Sequence, residues 1–251
     1  MWNLVFLCFA GFLASFVDSI AGGGGLISVP AFFIAGFSPY FALGTNKFAA
    51  TTGSFTSSLR FARSGKVNFK VIKYIIPFTL IGAVLGVKTV LLINQDFLYP
   101  LVMALILFVG AYSLFSKNLG MENGFTKVTK LNLALGILLG FTIGFYDGFF
   151  GPGTGSFLIF GLISIFKFDF VSASGNAKFL NFISNVTSLV VFAIEGKINY
   201  LYGIPIAIFM VFGANFGTKV ALNKGSKLIK PIFIVMSLGV ALKLLIENYI
   251  L

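Results

Sequence analysis

The stretch D-S-I-A-G-G-G-G-L-I-S-V-P, from Asp18 to Pro30, closes one long apolar run and opens another, and D-G-F-F-G-P-G-T-G, from Asp147 to Gly155, does the same further along. Around it Gly11, Phe12, Phe16, Asp18, Gly22 and Gly24 recur in order as Gly140, Phe141, Phe145, Asp147, Gly151 and Gly153. After a two-residue slip near Pro152, Gly44, Lys47, Phe48, Gly65, Lys66 and Asn68 meet Gly175, Lys178, Phe179, Gly196, Lys197 and Asn199. Apolar sequences match by chance at Leu, Phe and Gly. A shared Asp, a shared Lys and G-K-x-N in register do not arise that way, so the chain reads as a duplication. The expected division is a first repeat over 1–118, a linker over 119–128 and a second repeat over 129–251.

Composition says what the repeated unit is made for. Of the 251 residues, 58% are apolar and 10% charged, against about 45–50% and about 25% in an ordinary soluble domain. With a mean hydropathy of +1.01, the chain reads as an all-α integral membrane protein. It has no His, and a single cysteine, Cys8, lies in the first apolar run. These absences remove the commonest general base and any Cys-based metal site or disulfide framework. No catalytic constellation, ATP-binding motif, cofactor or metal is expected, and the chain is not read as an enzyme. The net charge of +11 comes from basic residues strung between apolar runs, which fits loop charge at a membrane better than a nucleic-acid surface.

Apolar segments run from Trp2 to Phe16, Leu26 to Phe37, Tyr40 to Phe61, Val71 to Ile93, Phe97 to Phe115, Leu131 to Phe145, Phe157 to Phe166, Phe170 to Ile194, Tyr200 to Leu222 and Ile232 to Ile246. A span needs about 20 residues. The second and seventh segments are too short, and are expected as re-entrant or half-helices, so that the count of spans is 8–10 by definition. Arg60, Arg63, Lys66, Lys70 and Lys73 crowd one loop of the first repeat, whereas its counterpart has Lys197 beside Glu195. The next pair of loops reverses the bias, with Lys219, Lys224, Lys227 and Lys230 in the second repeat. Opposite bias in equivalent loops predicts inverted repeats, with the Arg60 to Lys73 loop, the linker and the Lys219 to Lys230 loop in the cytoplasm.

Two features could carry chemistry. The glycine runs, with Gly22, Gly24, Gly151 and Gly153, permit close backbone approach just before a helix start, an arrangement suited to an anion; tight helix packing is the alternative. The pair Gly44-Thr45-Asn46-Lys47 and Gly175-Asn176-Ala177-Lys178 puts an ammonium inside each repeat, at a cost of about 2.5–3.5 kcal/mol on insertion scales. Lys47 and Lys178 are therefore candidate anion ligands, with Thr45, Asn46, Asn176, Ser57 and Ser188 as polar companions. The alternatives are snorkelling or a structural pair with Asp18 and Asp147. Those two carboxylates could instead take a coupling proton or Na⁺.

The D-S-I-A-G-G-G-G-L-I-S-V-P run, G-T-N-K from Gly44 to Lys47 and G-K-V-N-F from Gly65 to Phe69, with their second-half echoes, make the sequence resemble the sulfite exporter TauE/SafE family, also called the toluene sulfonate uptake permease family. The resemblance implies a multi-pass secondary transporter of a bacterial or archaeal inner membrane, handling small sulfur-containing anions such as sulfite, thiosulfate, sulfonates or sulfoacetate. The second copy departs from the pattern at Pro152, Thr154 and Ala177, which argues against an equal division of labour between the halves. An anion channel is the main rival, and a membrane-embedded enzyme or scaffold the second. The expected partners are the small anion and the lipid bilayer, with a homo-oligomer left open and no nucleic acid.

Overall fold

The computed structural model describes residues 2–98, 100–102, 104–105 and 124–224. Its complete helices are α1 (Trp2–Ala21), α2 (Gly25–Ile34), α3 (Pro39–Arg63), α4 (Phe69–Leu92), α5 (Lys130–Phe149), α6 (Thr154–Phe166), α7 (Phe170–Ile194) and α8 (Tyr200–Lys224), and the described residues contain no strand. Most of the segment from Phe97 to Phe115, the linker up to Asn123 and everything beyond Lys224 lie outside the described residues. Helix starts are marked by local chemistry. Pro39 occupies the first turn of α3, Thr129 and Asn132 form a capping box at α5, and the Asp169 carboxylate accepts from the Val171 and Ser172 amides at α7, each satisfying or sparing donors that a helix start leaves free.

Five of these helices, α1, α4, α5, α7 and most of α8, are long and apolar enough to cross a membrane. The 25-residue α3 matches them in length but is more polar. At about 1.5 Å per residue, the 10 residues of α2 and 13 of α6 give roughly 15 and 20 Å, well under the hydrocarbon thickness of about 30 Å. Large apolar side chains such as Trp2, Phe9, Leu131 and Leu201 stand mostly exposed on the outer faces, as expected of surfaces that meet lipid. The helices of the first and sixth segments continue past Phe16 and Phe145, so that Asp18 and Asp147 lie within the last turns of α1 and α5, just before the glycine runs.

Packing exchanges the helices of the two halves. Helix α4 lies along α5, and α8 along α1, each pair running parallel. Gly82 and Gly86 of α4 sit on the backbone of Phe141 and Phe145, and Gly213 and Gly217 of α8 on that of Phe12 and Phe16. A Cβ at any of the four would overlap the facing main chain, so small residues set how closely these helices approach. At the centre α3 and α7 cross antiparallel: Asn185 of α7 touches Lys47 and Ser54, while Phe55 packs on Phe182.

Candidate functional site

The seam between α3 and α7 carries most of the buried polar side chains. Its hydroxyls are largely satisfied by their own helices: Thr51 donates to the Lys47 carbonyl at 2.7 Å, Ser54 to Thr51 at 3.1 Å, Ser57 to Ser54 at 3.2 Å and Ser184 to Asn181 at 3.0 Å. Such back-bonding lets a polar side chain face a neighbouring helix without a partner there.

Two ion pairs tie this seam to the last turns of α1 and α5. Lys47 Nζ lies 2.8 Å from Asp147, and Lys178 Nζ lies 2.7 Å from Asp18. Each lysine of one half thus meets the aspartate of the other. The first pair is sealed, with 3% and 2% of its side chains exposed, and in the second Lys178 is wholly buried while Asp18 is 23% exposed. Lys47 also donates to Asn185 Oδ1 at 3.1 Å, and the Gly24 amide donates to Asp18 at 3.4 Å. Buried charges of this kind persist only when paired and hydrogen-bonded.

The glycine runs bring the beginnings of the two short helices together. Gly22 has φ of 83°, a conformation glycine adopts without the penalty of a Cβ. Its Cα faces the backbone of Gly155, where a Cβ on either residue would collide with the other. The Ser156 amide donates to the Gly22 carbonyl at 3.2 Å, and the Ser156 hydroxyl to Ala21 at 2.8 Å. Next to this junction lies a cavity of about 40 Å³, counted as space open to the centre of a water-sized sphere. One water needs about 10–15 Å³ on that measure, so the space suits a few waters or one small ion.

Of the residues singled out from sequence, Asn46, Lys47, Gly22, Gly24, Gly151, Asp18 and Asp147 line this cavity. Lys178, Thr45, Asn176, Gly153, Ser57 and Ser188 do not. Thr45 and Asn176 have another occupation: Thr45 Oγ1 accepts from the Asn199 amide at 2.9 Å, and Asn176 Oδ1 from the Asn68 amide at 2.8 Å. Gly44 and Gly175 lie directly under the Lys197 and Lys66 carbonyls. The G-K-x-N loop of each half is therefore docked on the first turns of the other half's lysine helix. Ser15 and Ser28 line the cavity without a sequence signal, and Asn181 and Asn185, which also line it, did not stand out from the other polar residues that follow Lys178. For Asn181 and Asn185 a signal existed, since they fall one and two turns after Lys178 on the same helical face.

Among the described residues no cluster of acidic, Cys or His side chains could hold a metal. Helices of spanning length, broken by two short ones whose beginnings meet beside a buried charge cluster, define a polytopic membrane protein built around a small polar site. Residues 7–244 match the sulfite exporter TauE/SafE family. A probable membrane transporter protein of Haemophilus influenzae is 38% identical over 245 residues, covering 98% of this chain and 95% of that protein. The probable membrane transporter protein YfcA of Escherichia coli is 37% identical over 243 residues, covering 97% and 90%, and YunE of Bacillus subtilis, also a probable membrane transporter protein, is 23% identical over 269, covering 98% of each chain. The chain belongs to the sulfite exporter TauE/SafE family, a family of membrane transporters rather than enzymes. No solved structure matches it significantly.

Proposed function

We propose that this protein is a secondary transporter of a small sulfur-containing anion, of the sulfite, thiosulfate, sulfonate or sulfoacetate class, that works by alternating access between two inverted repeats, 1–118 and 129–251. The observation that carries the reading is the pair of cross-half ion pairs at the cavity where two short helices begin. Transporters of inverted-repeat type place broken helices and their positive ends at a central site, and a small anion there can take charge-assisted hydrogen bonds from ammonium and amide groups. Lys47 and Asn46, with the glycine turns at Gly22, Gly24 and Gly151, form the anion site. Asp18 and Asp147 are the groups available for ion coupling. The sulfur chemistry of the cargo rests on family membership, and the anion class on the Lys47 ammonium and the amides around it.

Orientation follows from where the helix ends gather. The parallel and antiparallel contacts put the end of α3, the starts of α4, α5 and α7, and the end of α8 at one pole, with Arg60, Arg63, Lys66, Lys70, Lys73, Lys130 and Lys219. Asp96, Glu195 and Lys197 belong to the other. A cytoplasmic basic pole accords with the positive-inside rule, in the cell membrane of a bacterium or archaeon. Replacing the native Cys8 by Ala and placing single cysteines at Ser64 and Glu195, both exposed, should give labelling from opposite faces; labelling of both from one face would defeat the inverted arrangement. Transport is tested with purified protein in liposomes offered sulfite, thiosulfate, alkylsulfonates and, as controls, carboxylates without sulfur. Uptake of a sulfur anion above its equilibrium level is expected under an ion gradient. Passive equilibration alone would rule out coupled transport and leave a channel or an uncoupled carrier.

A further inference from the structure

The two ion pairs hold equivalent places in the repeat and present different atoms to the cavity. Lys47, Asp147 and Asp18 all line it; Lys178 stands behind Asp18 with no exposure at all. The residue before the lysine differs as well. In the first half it is Asn46, which lines the cavity with its amide oxygen buried and unpartnered, and in the second it is the buried Ala177.

Charge balance makes this asymmetry consequential. Two ammonium groups and two carboxylates sum to zero, so an arriving anion finds no spare positive charge in a poorly solvated place. Each negative charge it brings must be matched by a cation entering the same cluster. Lys47 has three N–H donors; Asp147 and Asn185 occupy two, leaving one for the anion without breaking either contact. Asp18 is the carboxylate with room to change state. It is 23% exposed, faces the cavity, and its paired lysine lies on the far side from any substrate.

We propose that the halves divide the work: the Lys47 and Asn46 side binds the anion, and Asp18 takes up the proton that travels with it, one proton per monoanion. The inference rests on the anion-transporter reading above. A proton from solvent adds to one Asp18 oxygen, giving a neutral carboxyl that can donate to the anion. Lys178, no longer neutralised, then offsets the anion's charge through that carboxyl, so it is a positioning charge and not a ligand. The charged groups facing Asp18 are Lys178 from α7, Lys47 from α3 and Asp147 from α5, with the Gly24 amide before α2; α6 and α8 bring no ionisable side chain to the cavity.

The test uses the whole protein in liposomes, with sulfite, thiosulfate and an alkylsulfonate as probes. For the parent protein, one pH unit across the membrane should concentrate a monoanion about tenfold in an electroneutral one-to-one symport. Asp18→Asn should bring that ratio to about one while anion exchange, followed by isotope counterflow, slows but stays measurable. Asp147→Asn should lose counterflow along with accumulation, because Lys47 is then misplaced. If Asp18→Asn does not fold, the parent protein still decides: uptake of an alkylsulfonate should remove one proton per anion from a weakly buffered medium, and uptake without proton movement overturns the assignment. Proton-driven accumulation surviving in a folded Asp18 variant overturns the assignment, as does an Asp147 variant that exchanges without accumulating. No flux of any probe in the parent protein overturns the transporter reading itself, and this inference with it.

Discussion

The two halves around the cavity are most alike where they hold each other and least alike where they face the cavity. In both, a G-K-x-N loop sits on a glycine and hands one amide to the next side chain, Thr45 in one case and Asn176 in the other. In both, paired glycines of α4 or α8 rest on two Phe backbones of the facing helix. At the cavity the correspondence fails. Lys47 reaches the wall and Lys178 does not, Asn46 stands opposite Ala177, and Gly22 meets a turn that carries Pro152 and Thr154. Contacts between halves constrain backbone approach and tolerate little change; a ligand site needs one good set of groups, and the second set is free to serve otherwise.

The largest effects should come from breaking the ion pairs singly. Lys47→Gln strands Asp147, only 2% exposed, and should cost about 3–5 kcal/mol of stability, the usual penalty for an uncompensated buried charge. Lys178→Gln strands Asp18, which is 23% exposed and keeps the Gly24 amide, and should cost about half as much. Lys47→Gln combined with Asp147→Asn should recover most of the loss. Chemical unfolding of the purified variants in detergent reads all three. Equal costs for the two single variants would erase the difference between the pairs.

How much of this was legible beforehand depended on what kind of pattern carried it. The two short helices were visible, and so were the four charged residues that meet in the two ion pairs, because Asp18, Lys47, Asp147 and Lys178 are out of place in apolar runs and recur in register. That the pairs would cross the halves was not visible, since nothing local to Lys47 says that its partner is Asp147 rather than Asp18. The sequence offers Thr45 and Asn176 as companions of a substrate, and the structure pairs them with the loops of the opposite half. Side-chain chemistry alone cannot separate those roles: a hydroxyl or amide that accepts from a backbone N–H looks the same in sequence as one that meets a ligand. The asparagines at 181 and 185 were legible as a helical face but lacked a reason to be preferred over the many hydroxyls around them.

The shared loop contact gives a second, smaller set of effects. Thr45→Val and Asn176→Leu each remove the acceptor for a backbone amide, at Asn199 and Asn68, and should each cost about 1–3 kcal/mol. Their costs should agree within about 1 kcal/mol, because the contact is the part the halves have in common. Thr45→Ser keeps the hydroxyl and should recover most of the stability. Affinity for the transported anion should change less than about threefold in folded Thr45→Val, measured by competition in the liposome assay. A larger loss would return Thr45 to the binding site.

The smallest effect expected separates two serines that occupy the same place in the repeat. Ser57 and Ser188 are both fully buried, and neither lines the cavity. Ser57 donates to the Ser54 carbonyl at 3.2 Å, whereas the Ser188 hydroxyl has no hydrogen-bond partner. Removing a satisfied hydroxyl forfeits about 0.5–1.5 kcal/mol, while removing an unsatisfied one releases a desolvation penalty the folded state was carrying. Ser57→Ala should therefore be mildly destabilising and Ser188→Ala neutral or mildly stabilising, with opposite signs in one unfolding series. If the anion or its path did reach Ser188, its hydroxyl would find a partner during transport, and Ser188→Ala would slow uptake while leaving stability unharmed. Unchanged uptake in both variants fits a seam whose hydroxyls serve packing, and confines the chemistry to the wall that Lys47, Asn46 and Asp18 share.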